Sequence, residues 1–137
     1  IAESELEQID GITAGTVAAS KAVVVDGNKD ASGFRNITAT GTVQGAAVTA
    51  TSDERLKSDI TTIDNALDKV MNMRGVTFTR EGRQSTGVIA QEMQKVMPEV
   101  VFDKGEYLSV AYGNLVGVLI EAVKELKSEV DELKKGK

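Results

Sequence analysis

The ten residues 51–60, TSDERLKSDI, decide how this 137-residue chain is organised. Before them the sequence is rich in Gly, Ala, Thr and Val and poor in aromatic residues. After them it is charged, and its apolar residues recur at helical spacing. The stretch itself is polar and places Ser52 five residues before Lys57. We interpret it as the boundary between two parts of the chain, residues 1–51 and residues 52–137.

The composition excludes several classes of function. The formal net charge is -5 at pH 7, and no cluster of Lys and Arg forms a phosphate-binding stripe, so we expect no nucleic acid partner. The absence of His and Cys excludes His-based catalysis, disulfide bonds and almost all zinc chemistry. No apolar run reaches the roughly 18–20 residues that span a bilayer, so no membrane partner is expected. Any catalysis must therefore use Ser, Thr, Lys, Asp, Glu or Tyr.

The sequence of residues 1–51 is typical of short strands. Runs rich in β-branched residues, such as 22–25 and 36–40, alternate with turn signals that contain Gly. With Phe34 as its one aromatic residue, this part has little to bury alone, whereas three copies wound round one axis would share a narrow core. We therefore predict intertwined trimeric β-structure. A flexible linker is the alternative, which the frequency of β-branched residues disfavours. Since the chain begins at Ile1 and not at Met, we expect a C-terminal piece of a longer protein.

The segment DGNKD at residues 26–30 is similar to the start of a calcium-binding loop. An EF-hand needs Gly at its sixth position and Glu at its twelfth, where this sequence has Ala31 and Ile37. We predict a turn at this place and no metal site.

Residues 61–114 mix helix and strand signals, which predicts a small α+β head. Thr61 and Asp64 have the spacing of a capping box for a helix that ends near residues 74–75. Pro98 is expected to end a second helix. The predicted strands lie at 76–79, 86–89 and 100–102 with a return at 107–108, and the second helix lies at 90–97.

Residues 110–135 carry an apolar heptad pattern, which predicts a long C-terminal coiled-coil-like helix with Ser109 as its N-cap. Val occupies position a and Leu occupies position d, after Tyr112 as the first d residue. The expected oligomerisation residues are Val116, Leu119, Val123, Leu126, Val130 and Leu133.

The heptad pattern leaves the number of chains open. Val at a with Leu at d favours dimers, whereas Ile120 and Ala122 widen the apolar stripe and favour more neighbours. The alternative is an amphipathic helix that lies on its own domain. Gly113 and Gly117, four residues apart, indicate close backbone approach near the head.

Ser52 and Lys57 form a candidate nucleophile and base. A serine hydroxyl needs a base, and a neutral lysine is the natural one in a chain without His. Because Ser52 follows the carbonyl of Thr51, its hydroxyl can attack the preceding peptide bond and form an ester that water opens. The spacing alone is a weak signal, and the alternative is that Ser52 caps a helical turn while Lys57 lies in solvent.

Three motifs in the same order resemble one protein family. The first motif is residues 52–60, the second is GVIAQE with PEVV at residues 87–92 and 98–101, and the third is YLSVAYGNL with EAVKEL at residues 107–115 and 121–126. Together they resemble the C-terminal intramolecular chaperone domain of bacteriophage tail spikes and tail fibres, the domain found in phage endosialidases, and residues 52–60 resemble its opening motif. The Gly/Ala/Thr-rich repeats upstream look like the triple-stranded β-structure that ends many phage fibres.

The resemblance implies a homotrimer in which residues 52–137 help the upstream fibre segment to wind and then release themselves by a cut between Thr51 and Ser52. The Ser–Lys dyad of the family maps onto Ser52 and Lys57, and Asp53 and Arg55 match supporting positions. The fibre part would then belong to the virion tail fibre or spike, and the chaperone part to the host cytoplasm during assembly. We see no phosphate-binding loop and expect no cofactor.

Two other functions share these features. The first is a structural trimerisation module that stays on the fibre without proteolysis. The second is the cleaving domain of a membrane-bound transcription factor precursor. The Gly/Ala/Thr-rich upstream residues fit a fibre better than this second alternative.

Overall fold

The computed structural model describes residues 1–136. The chain divides into two compact units, Ile1–Thr51 and Ser52–Lys137. The second unit has the predicted α+β character, with two small sheets and a long C-terminal helix. The intertwined trimeric part of the predicted fold stays a prediction, because a single chain does not test it.

The first unit begins with helix α1 (Glu3–Ile9), and its remaining residues form turns and irregular segments. Its one β-bridge joins Thr16 to Ser32, so the predicted strands at 22–25 and 36–40 do not form within a single chain. Small side chains give these runs too little surface to build a sheet among themselves. No residue of this unit is buried.

The predicted turn at residues 26–30 is confirmed. The Asp26 carboxylate oxygen Oδ1 accepts hydrogen bonds from the backbone N–H groups of Asn28, at 2.8 Å, and Asp30, at 3.0 Å. Asp26 thus satisfies the amides of its own turn, as Asp does in many tight turns.

Three helices and a 3₁₀ turn of the second unit surround its core. Helix α2 (Ala66–Met71) and the long helix α4 (Leu115–Lys135) pack against each other, and helix α3 (Ala90–Val96) closes the core. A short 3₁₀ turn, Pro98–Val100, follows α3, so Pro98 ends that helix as predicted. The buried side chains are Ala66, Met93, Met97, Val100, Val118 and Ala122.

Two antiparallel hairpins complete this unit. Strands β1 (Val76–Arg80) and β2 (Arg83–Gly87) pair through a two-residue turn whose residues, Glu81 and Gly82, both have positive φ. This is the backbone that a tight hairpin turn requires. Strands β3 (Val101–Phe102) and β4 (Ser109–Val110) form the second hairpin. The return strand thus lies at 109–110 and not at the predicted 107–108.

The predicted starts of two helices are wrong. Helix α2 begins at Ala66 and not after Thr61, because a carboxylate from α4 caps it there, and no capping box forms. Ser109 lies in β4 and caps no helix. The last helix begins at Leu115, after a 3₁₀ turn at Tyr112–Asn114, so Tyr112 is not a heptad residue.

Candidate active site and its surroundings

The Lys57 amine lies beside the Ser52 hydroxyl. Lys57 Nζ donates a hydrogen bond to Ser52 Oγ over 2.5 Å. This distance is short enough for proton transfer between a nucleophile and its base. When the amine is neutral, the hydroxyl proton can pass from Ser52 Oγ to Lys57 Nζ across this contact. The two residues that were predicted from the sequence as nucleophile and base are therefore in contact.

A short turn brings these two residues together. Residues Glu54–Leu56 form a 3₁₀ helix that begins after Asp53. The Leu56 N–H donates to the Asp53 carbonyl over 3.1 Å, and the Lys57 N–H donates to the Glu54 carbonyl over 3.0 Å. The cap of this turn is Asp53 and not Ser52, which leaves the Ser52 hydroxyl to the lysine.

Asp53 and Arg55 form a bidentate ion pair. Arg55 donates from Nε to Oδ1 of Asp53 over 3.0 Å and from Nη2 to Oδ2 over 2.9 Å, while its backbone N–H donates to Oδ1 over 2.9 Å. These bonds hold the pKa of the Asp53 carboxyl below its ordinary value and raise the pKa of the Arg55 guanidinium. Both predicted supporting residues thus stabilise the turn between Ser52 and Lys57, although neither side chain forms a hydrogen bond with the serine hydroxyl.

The whole stretch from 51 to 60 is exposed in the single chain. A lysine acts as a base in its neutral form, and removal from water favours that form. For Lys57 to act as a base, surface from elsewhere would therefore have to cover it.

The predicted oligomerisation residues lie on one exposed face of α4. Val118 and Ala122 face the core on an adjoining side of the same helix. Helix α4 thus has one face packed on its own unit and a second apolar face without a covering element in the described chain. The exposed face contains Val116, Leu119, Ile120, Val123, Leu126, Val130 and Leu133.

Two polar contacts were not predicted from the sequence. Glu125 on α4 accepts hydrogen bonds from the N–H groups of Ala66, at 3.0 Å, and Leu67, at 2.6 Å. The Tyr112 hydroxyl accepts a hydrogen bond from the Val88 N–H over 3.2 Å. Each contact joins residues far apart in sequence, and the heptad pattern offers no signal for either.

The described residues contain no cluster of three or more acidic side chains arranged to hold a metal ion. Within the same range, no helix combines the length and the apolar character that a membrane crossing requires.

Residues 52–102 match the model of a protein family described as chaperone of endosialidase, whose model name also designates a peptidase. The long tail fiber protein Gp37 of Enterobacteria phage K3 is 36% identical over 118 residues, which cover 77% of this chain and 9% of that protein. Gp37 of Enterobacteria phage T2 is also 36% identical over 118 residues, covering 77% of this chain and 8% of that protein.

A relative from an animal matches as well. Myelin regulatory factor homolog 1 of Caenorhabditis elegans is 32% identical over 89 residues, which cover 55% of this chain and 10% of that protein. The chain thus spans a tenth or less of the length of these three relatives. Through residues 52–102, which carry the Ser52–Lys57 contact, the chain belongs to the chaperone of endosialidase family.

Proposed function

We propose that this chain is the end of a phage tail fibre or spike joined to the intramolecular chaperone that assembles it, and that the chaperone releases itself by a cut between Thr51 and Ser52. The hydrogen bond between Lys57 Nζ and Ser52 Oγ carries the proposal, because it supplies a nucleophile with a base directly beside the bond to be cut. The phage relatives named as long tail fiber proteins support the fibre context.

The cut uses one water molecule. Neutral Lys57 takes the proton of Ser52 Oγ, and the oxygen attacks the carbonyl carbon of Thr51. The bond from that carbon to the nitrogen of Ser52 breaks, the nitrogen takes up a proton, and an ester joins Thr51 to Ser52 Oγ. Water then opens the ester, which leaves a Thr51 carboxylate and a chain that starts at Ser52. Each molecule cuts itself once.

Assembly precedes the cut in this proposal. The exposed apolar face of α4 and the unburied residues of the first unit both favour cover by further chains, and the family resemblance implies three of them. Packing of the trimer would cover Lys57 and favour its neutral form. Chains that cannot trimerise should therefore cleave far more slowly, and cleavage of a monomeric variant at the normal rate would contradict this order.

The proposal also assigns a place to each product. The trimer of the fibre part stays in the virion tail fibre or spike, and the chaperone part remains in the host cytoplasm where assembly takes place. Since the released template is no longer attached, the wound fibre has no route back to its unassembled state and is kinetically trapped.

The intact mass of freshly expressed protein tests the cut. Wild type should yield two fragments divided between Thr51 and Ser52, whereas Ser52→Ala should stay whole. Ser58→Ala removes a hydroxyl from the same exposed stretch and should cleave as wild type does. Wild-type trimers that stay whole would instead identify a structural trimerisation module that remains on the fibre.

A further inference from the structure

The segment that contains Ser52 and Lys57 carries two large apolar side chains that its own unit does not bury. Leu56 is 75% exposed and Ile60 is 64% exposed, and every residue from 52 to 62 is exposed. Leu56 lies in the 3₁₀ turn directly before Lys57, and Ile60 follows four residues later. Two such side chains so close in sequence give this segment a small apolar surface without cover.

Helix α4 has a shallow apolar groove near its N-terminal end, on its exposed face. One heptad after Ile120 the equivalent position is Lys127, so the apolar surface is wider at the groove than further along the helix. A neighbouring helix that packs on positions a and d would leave Ile120, at position e, at the edge of the contact. The groove therefore has room for a further apolar occupant. Its lining residues are Val116, Leu119, Ile120, Val123 and Lys124.

The segment is anchored at the level of this groove. A Cβ at Gly117 would lie 3.4 Å from Cδ1 of Ile63, so the chain meets α4 at the first turn of that helix. Ile60 is three residues before Ile63 and lies at most about 11 Å from it along the chain. The groove extends about 10 Å along the helix, from Val116 to Val123. The apolar side chains of the segment are thus within reach of the height that the groove occupies.

The occupant that fits is the same segment of a second copy. Within one chain the segment and the groove do not cover each other, since both are exposed. In a cyclic assembly each element recurs at the same height along the symmetry axis, so a neighbour offers its groove at the level where the segment is anchored.

The charges of the two surfaces agree with this contact. Among the described residues, Glu54 and Asp59 form no ion pair. Lys124 borders the groove, and its exposed ion pair with Glu121, at 3.2 Å, is of a kind that contributes little and is easily exchanged. A lysine at the edge of the groove thus suits a segment whose unpaired charges are negative.

We propose that Leu56 and Ile60 dock into the α4 groove of a second copy of this chain, an inference that rests on the trimer of the proposed function. The contact covers both side chains and the wide part of the groove. Because Lys57 directly follows Leu56, docking brings the lysine to the edge of an apolar surface, where less water surrounds it. The neighbouring chain thus supplies the cover that Lys57 lacks in the single chain.

Disulfide cross-linking of full-chain trimers tests the contact. The chain has no cysteine, so introduced thiols react only with each other. In the variant that combines Asp59→Cys with Lys124→Cys, oxidation should link different chains on a non-reducing gel, and peptide mapping should find the disulfide between residues 59 and 124. Each single cysteine variant should stay unlinked.

Removal of the two apolar side chains should weaken the contact. In the same cysteine background, Leu56→Ala with Ile60→Ala should slow cross-linking by about tenfold, the factor that lost cover of a large apolar side chain corresponds to. The cut should slow to a similar extent. Tyr107→Ala removes an exposed aromatic side chain outside the segment and should leave both rates unchanged.

The outcomes separate this contact from the proposed function. Trimers that cut themselves but form no link between residues 59 and 124 of different chains would overturn the docking and leave the cut standing. A link within one chain would overturn the docking on a second copy. Wild type that forms no trimers would contradict the proposed function and the docking together. Should the cysteine variants not assemble, equal cleavage rates of wild type and of Leu56→Ala with Ile60→Ala would overturn the docking.

Discussion

The contact between Lys57 and Ser52 depends on residues that do no chemistry themselves. Asp53 accepts the N–H of Arg55 and both arms of its guanidinium, and this closes the 3₁₀ turn that brings residue 57 back to residue 52. Both side chains are exposed to solvent, where an isolated ion pair contributes little to stability. Their value lies in the local geometry that the bonds impose on six consecutive residues.

Replacement of Lys57 should stop the cut without preventing assembly. Lys57→Met keeps much of the aliphatic side chain but removes the amine, and the serine loses its base. Trimers should form as in wild type and stay whole, as measured by ultracentrifugation and intact mass. Lys104→Met removes an amine from an exposed turn as a control. A Lys57→Met trimer that cleaves at the wild-type rate would exclude lysine as the base.

The Asp53–Arg55 ion pair should remain formed at mildly acidic pH. Because Arg55 lowers the pKa of the folded Asp53 carboxyl, the pair contributes above the ordinary aspartate pKa of about 3.9 and is lost as the pH falls through the lower folded value. An NMR titration of the Asp53 carboxyl carbon measures this directly. In the Arg55→Gln variant the titration midpoint of the Asp53 carboxyl should return towards the ordinary aspartate pKa. A midpoint equal to that of wild type would show that the ion pair is not formed in solution.

Among the elements, the connection from β4 to α4 is held by one tyrosine. The Tyr112 hydroxyl lies against the end of β2, where it accepts the Val88 N–H. The contact needs a glycine at position 87, since a Cβ there would lie 2.4 Å from the hydroxyl oxygen. The pair of Gly87 and Tyr112 therefore fixes the first hairpin against the start of the long helix.

Gly87→Ala should destabilise the second unit. The added methyl group forces the exposed end of the Tyr112 side chain to move, which costs on the order of 1 kcal/mol because that end can give way. Gly113→Ala has open space around its Cβ and should change stability by less than about 0.5 kcal/mol. Denaturant unfolding measures both. Adding Tyr112→Phe to Gly87→Ala should recover part of the loss, because it removes the atom that the methyl meets.

Elements with a local pattern could be predicted from the sequence, whereas the starts of α2 and α4 could not. The alternation of apolar and polar residues predicted strand β1, and Pro98 predicted the end of α3. The start of α2 was wrong because Glu125, remote in sequence, supplies its cap. The contact of Ser52 with Lys57 was proposed from a motif, since spacing alone does not show that the chain turns between them. Contacts between distant residues carry no periodic signal, and this is where prediction failed.

At the scale of the whole molecule, apolar surface is left without cover in both units. Residues 34–51 are exposed throughout, and Val48 is 84% exposed. The outer face of α4 is exposed as well, with Val123 at 66%. Monomeric proteins rarely leave contiguous apolar surface of this kind, so both units favour assembly with further chains.

A charge on the outer face of α4 should prevent assembly. Leu126→Glu places a carboxylate on the apolar face, whereas Ser128→Glu places the same group on a polar position of the same helix. We expect monomers for the first variant and wild-type trimers for the second in analytical ultracentrifugation. A trimeric Leu126→Glu protein would show that α4 does not form the interface.

The first unit should depend on the second for its structure. Since no residue of Ile1–Thr51 is buried in the single chain, the segment expressed alone should show no cooperative unfolding transition by circular dichroism. The same segment separated after assembly with the chaperone should retain a transition. A segment that folds alone would contradict the need for a template.

The proposed nucleophile, the proposed base and the bond between Thr51 and Ser52 all lie within seven consecutive residues of one chain. A reaction confined to so short a stretch is first order, and its half-life does not change with dilution. Association of three chains, in contrast, slows steeply as the protein becomes scarce. In this proposal the protein concentration therefore determines when the trimer assembles. The interval from assembly to release would be the same in a cell that contains many fibres and in one that contains few.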